Sequence, residues 1–164
     1  MALKTDRSVL ETDISFFMNE VATRGGVVVH GTTGGSGAAL DQGAALATYT
    51  NAPSGKVPIG LLLNDMVNLD LTRQHLNQHK DEVQKGGKVT LLRKGWVVTN
   101  NLQGASPAAG DPAYVAHSGN LSKTNLITDN TDSTGARRLV GRFISGVDED
   151  GYAKVYIDLP NTNL

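Results

Sequence analysis

The chain has 164 residues, 39% of them hydrophobic, which is enough for one domain with a sizeable core. A net charge of -1, a pI near 6.4 and an aromatic content of 5% argue against nucleic-acid binding, which needs clustered Lys and Arg or a stacking platform. The absence of cysteine excludes disulfides and thiolate metal sites, and no apolar stretch approaches the roughly 18 residues needed to span a bilayer.

The start, Met1 to Arg7, is polar and charged and lacks the basic start and apolar core of a signal peptide. It reads as an unanchored arm on a soluble protein made in the cytoplasm. Ser8 to Glu11 fits a capping box, with Leu10, Ile14, Phe17 or Met18, and Val21 at helical spacing before a stop at Arg24-Gly25-Gly26. The alternative is an extended Ile14 to Met18 laid against a neighbouring surface, since adjacent Phe16 and Phe17 cannot share one narrow stripe. Both readings stay open.

Val27 to His30 feeds a glycine-rich loop, Gly31 to Gly37. The loop lacks the Lys and Ser or Thr of a Walker loop, because Ala38 follows Gly37, so it is read as a plain flexible loop. Leu46 to Thr50, Lys56 to Leu63 and Met66 to Leu71 look like strands, and Pro58 must stand at a strand edge or start. Thr72 to Lys85 is a polar connector. His75 and His79 would share a helical face there, but Leu76 replaces the glutamate of a zincin.

From Lys88 to Leu159 the chain reads as short strands between turns. Val89 to Leu92 and Trp96 to Thr99 look like a hairpin turned at Arg93-Lys94-Gly95. Ala113 to Ala116, Leu139 to Ile144 and Tyr152 to Ile157 add three more strands. In the last, Tyr152, Lys154, Tyr156 and Asp158 alternate with Ala153, Val155, Ile157 and Leu159, as a sheet wetted on one face requires. The expected fold is all-β or β-rich with a little helix: a small barrel or sandwich of antiparallel strands over residues 38–164, with an N-terminal arm over 1–37. Leu91, Val97, Val115, Val140, Phe143, Val155 and Ile157 are expected in its core.

Catalytic constellations are missing. There is no Gly-x-Ser-x-Gly elbow and no carboxylate pair spaced for acid and base roles. Asp148-Glu149-Asp150-Gly151 lacks the ligand ladder of a calcium loop and reads as a β-turn. No catalytic residue, cofactor or metal ligand is therefore assigned.

Four segments carry a likeness: Lys88 to Val98 (KVTLLRKGWVV), Ala109 to Val115 (AGDPAYV), Val140 to Phe143 (VGRF) and Asp150 to Ile157 (DGYAKVYI). Together they resemble the capsid decoration, or cement, proteins of tailed bacteriophages. The resemblance covers about half of the chain and extends more faintly through Leu46 to Leu71. It implies a β-rich body on the outer surface of an icosahedral head. It also implies the major capsid protein as partner, self-association as a homotrimer near a threefold, and no enzymatic activity. On that reading Ile14, Phe16, Phe17, Met18 and Arg24 are the expected contacts to the capsid or to adjacent subunits. A carbohydrate-binding or host-attachment β module is the alternative, favoured if Trp and Tyr cluster in a groove. An enzyme binding phosphate at Gly31 to Gly37 is a distant third.

Overall fold

The computed structural model describes residues 2–31, 45–65, 81–125 and 137–160. Their strands are β1 (Leu3–Asp13), β2 (Phe17–Met18), β3 (Ala22–Thr23), β4 (Val27–Gly31), β5 (Leu46–Thr48), β6 (Pro58–Asp65), β7 (Glu82–Val83), β8 (Val89–Thr99), β9 (Pro112–Val115), β10 (Leu121–Ser122), β11 (Leu139–Phe143) and β12 (Ala153–Asp158). The protein is all-β, with one short 3-10 turn at His117–Gly119. Gly37, His75, His79 and the run from Met66 to Leu71 lie outside the described residues, as does most of the glycine-rich loop.

The strand β8 organises the molecule, and it corrects the expected hairpin at Arg93-Lys94-Gly95. The chain runs straight through these residues for 11 positions. At Leu91 and Leu92 it pairs with both β1 and β6, and from Lys94 to Thr99 it has β12 as a partner, with β1 alongside. One edge of β8 is thus lined by β1, while the other is shared end to end by β6 and β12. Two wings leave that shared edge, β6-β4-β5-β2 and β12-β11-β9-β10, and the ten strands form one mixed sheet. All of its pairings are antiparallel except the parallel β2-β5 pair. No closed barrel forms among the described residues. Gly95 is required here by a close approach: its φ is +139°, and a Cβ on it would lie 2.1 Å from the Ser8 carbonyl oxygen.

The hydrophobic patterning explains which wing is covered on which side. In β12 every second residue is buried, so Ala153, Val155 and Ile157 face inward while Lys154 and Tyr156 face out. The unbroken runs Val27 to Val29 and Leu61 to Leu63 are buried at every position, the signature of strands covered on both faces. Val27, Val29, Leu61 and Leu63 join Val97, Val115, Val140, Phe143, Val155 and Ile157 in a core between the wings. Val28 and Leu62 point the other way, into a second cluster with Met18, Ala22, Val83, Val89 and Leu91. All seven residues expected in the core are buried, and Pro58 opens β6 as expected.

Met18, Ala22 and Val83 cover the second face, with Ala22 and Val83 paired in a separate two-stranded sheet of β3 and β7, and the pairing of β1 with β8 corrects the unanchored start. Neither the helix nor the capping box at Ser8 to Glu11 forms. Those residues pair in β1 with Gly95, Lys94 and their neighbours, and a long β partner outweighs a weak local helix signal. Asp13 closes the strand by accepting from the Ser15 amide at 2.8 Å. In place of a helix, Phe17 and Met18 form the short strand β2 beside β5, and Ile14 to Phe16 take no regular structure. Further on, the buried Thr99 hydroxyl lies 2.9 Å from both the Ala2 and Gly25 carbonyl oxygens. The Tyr49 hydroxyl donates to the Thr23 carbonyl and accepts from the Gly26 amide. Burial pushes the Tyr49 phenol well above its ordinary pKa, so it stays protonated as that donor.

Candidate interaction surface

Three kinds of position hold the five expected contact residues. Ile14 is 45% exposed and open to a partner. Phe16 and Phe17 are half-buried: Phe16 packs against the second cluster and meets the His30 ring edge-on at 6.3 Å, and the Lys88 ammonium lies 5.9 Å from the Phe17 ring centre. Met18 is fully buried and belongs to the interior. Arg24 is mostly covered, its Nε 2.8 Å from the Asp81 carboxylate.

Beside Ile14, the structure exposes two residues that sequence patterning passes over, Val9 at 43% and Leu10 at 69%. Val9 pairs with Gly95 and Glu11 with Lys94, so Leu10 is the extra residue of a β-bulge and is pushed out of the ladder. The outer edge of β1 pairs with no other strand among the described residues. An open edge carrying apolar side chains is a feature that soluble proteins normally avoid. Reading β1 as a strand would have flagged both residues; the competing helical spacing of Leu10 and Ile14 hid them.

A second surface lies on the outer face of the β12 wing. Direct cross-strand pairs share a face, and the register places Ser8, Trp96, Tyr156, Arg142 and Pro112 in one row across β1, β8, β12, β11 and β9. The Lys154 ammonium sits 3.5 Å from the Trp96 ring centre, a cation–π contact. Next to this row an open cleft of about 630 Å³ is walled by Pro112, Leu139, Ile144 and Tyr156, with Arg142 and Asp158 also lining it. Asp158 is 3.7 Å from the Lys94 ammonium.

The electrostatics are those of a tethered framework. The Lys4 ammonium donates to Asp148 at 2.9 Å, and this bond, with the Tyr152 amide, holds the Asp148 carboxyl below its usual pKa and raises that of Lys4. The contact ties β1 to the Asp148–Gly151 turn, which closes with the expected Gly151 to Asp148 backbone bond at 3.1 Å. Asp13 is likewise held low. Burial pushes it up, but the Ser15 hydroxyl and amide and the Arg93 charge outweigh that. Among the described residues no group of three or more His, Cys, Asp or Glu side chains is placed to hold a metal ion, and no helix is long and apolar enough to cross a membrane.

The open features of this all-β body are an apolar strand edge and a sheet face carrying Trp96, Tyr156 and Arg142. The model of the phage structural cement protein family (E217 gp24/Pam3 gp6) matches residues 10–158, and the chain belongs to that family. It is a cement protein of the phage virion, associated with the capsid in a structural role. No curated protein matches the chain.

Proposed function

We propose that this cement protein binds the outer surface of an icosahedral phage head, bridges neighbouring major capsid proteins and so stabilises the shell, with three copies around a threefold position. Binding to the assembled lattice stabilises it by mass action, because each bridging contact must come apart before the shell does. Within this reading the segment up to residue 37 supplies the main grip, with Ile14 as its exposed anchor and the open parts of Phe16 and Phe17 beside it. The observation that carries the reading is the exposure of Val9 and Leu10 on strand β1, whose outer edge is unpaired among the described residues, with Ile14 exposed just past its end, in a cement-family chain.

The test is co-sedimentation with undecorated heads. Changing Leu10 and Ile14 together to Ser should lower the melting temperature only slightly, because Leu10 is 69% and Ile14 45% exposed, while occupancy falls about tenfold or more. Normal occupancy by the variant would remove the grip from this edge. A glycan-binding reading draws on Trp96 and Tyr156 standing side by side. Lys154 lies over the Trp96 ring that a sugar would need, so the cement reading is preferred; saturable binding on a glycan array would reverse that order.

A further inference from the structure

Two unsatisfied features stand three strands apart on the sheet, and their chemistries complement each other. At one end, the Arg142 side chain is exposed at the cleft and makes no hydrogen bond or ion pair among the described residues. Pro112, Leu139, Ile144 and the Tyr156 ring give the cleft apolar walls, Asp158 lines it 3.7 Å from the Lys94 ammonium, and Gly141 contributes no side chain to fill it. At the other end, the bulge presents Leu10, the most exposed large apolar side chain described, followed by Glu11, an exposed carboxylate also without an ion pair among the described residues. The strands β8 and β12 separate β1 from β11. Three spacings of about 4.8 Å put β1 and β11 roughly 14 Å apart, and Arg142 is offset along the strand from the level of Glu11, so the two cannot meet in the same molecule.

We propose that Leu10 of one copy enters the cleft walled by Pro112, Leu139, Ile144 and Tyr156 on a second copy, where Glu11 accepts hydrogen bonds from the partner subunit's Arg142. The occupant is a second copy because the chain itself carries both halves, an apolar residue with an adjacent carboxylate and an apolar cleft with an adjacent guanidinium. A carboxylate paired to Arg in a partly dried interface gains from charge-assisted hydrogen bonds. The two surfaces differ, so the contact is head-to-tail, and repeated contacts of that kind close into a ring when the rotation between copies is that of the proposed threefold. The inference rests on the proposed threefold only for the number of copies in that ring.

The chain has no cysteine, so paired substitutions give a clean cross-linking test. The double variant Leu10→Cys with Ile144→Cys is oxidised on decorated heads and, separately, in concentrated solution. Non-reducing gels should then show a ladder ending at three chains, absent from either single variant. In parallel, Glu11→Arg and Arg142→Glu should each weaken decoration about tenfold, and the combined swap should restore it to within about threefold. Absence of cross-links at normal decoration would overturn the proposal. So would loss of decoration in Arg142→Glu that the swap fails to restore, which would give the cleft to the shell protein; glycan binding lost in Arg142→Glu would give it to a sugar. Wild-type protein that never binds heads defeats the cement reading instead, and the solution cross-link then decides this contact alone.

Discussion

A Cβ on Gly141 would lie 1.8 Å from the Tyr156 carbonyl oxygen and 2.9 Å from its carbonyl carbon. Both are backbone atoms in a paired strand, so no side chain can swing aside to make room. Gly141→Ala is expected to cost about 3 kcal/mol and to lower the melting temperature sharply. Gly55→Ala is the control: its φ is +70° but nothing lies within 4 Å of the added carbon, so about 1 kcal/mol of backbone strain is all it should cost. Equal melting shifts for the two variants would mean that the β11-β12 approach is not tight. The Lys4–Asp148 pair sets a pH dependence at the same scale. Asp148 is depressed in the fold, so its contribution is complete above the ordinary carboxylate value of 3.8 and is lost as pH falls through the lower folded value. Lys4 is raised, so its contribution is complete below 10.5 and is lost as pH rises through the higher folded value. Between those limits the pair is intact. Asp148→Asn should flatten the stability loss below about pH 4 while leaving the fold unchanged, a small effect for an exposed pair; an unaltered acid limb in melting curves would show that the pair contributes nothing.

The strand β1 decides how far the first residues can be treated as separable. Leu3 is buried in the inter-wing core, the Ala2 carbonyl accepts from Thr99, and β1 lines β8 for most of its length. Removing residues 1–13 should therefore uncover an edge of β8 and cost about 3 kcal/mol or more, from Leu3 burial and the lost ladder. Differential scanning calorimetry of the truncated chain checks this, and a melting temperature equal to that of the full chain would make β1 an arm after all. The difference between the expected arm and the observed strand has a physical origin. Ser8 to Glu11 carries a local helix signal, whereas the partner that overrides it begins 80 residues later, and no local pattern shows that pairing. Gly95 misled in the same way, since a Lys-Gly pair reads as a turn while its real cause is the carbonyl of distant Ser8. By contrast, β12 was legible because one wet face imprints alternation on its own residues, and Val27 to Val29 because a strand buried on both faces has no polar position. Ile14 could be picked out as an apolar residue needing a partner, but Met18 could not be told from it. Its burial depends on Leu62 and Val83, and the Trp96, Tyr156 and Arg142 row exists only through the register of three strands.

At the scale of the described residues, one long strand holds two wings together, and Met18, Ala22 and Val83 cover the back of one of them. On the proposed function, the open apolar edge of β1 and the face carrying Trp96, Tyr156 and Arg142 are the surfaces that would meet the shell or a neighbouring copy. The family places the chain with the phage capsid, and the central claim is that its binding strengthens the shell. The direct measurement is the thermal disassembly of undecorated heads, followed by light scattering or electron microscopy, with and without saturating purified protein. Saturable binding and a disassembly temperature that rises with occupancy are expected, because a protein that binds the intact lattice more tightly than released subunits stabilises it by mass action. Heads that bind the protein to saturation yet come apart at the same temperature as bare heads would contradict it.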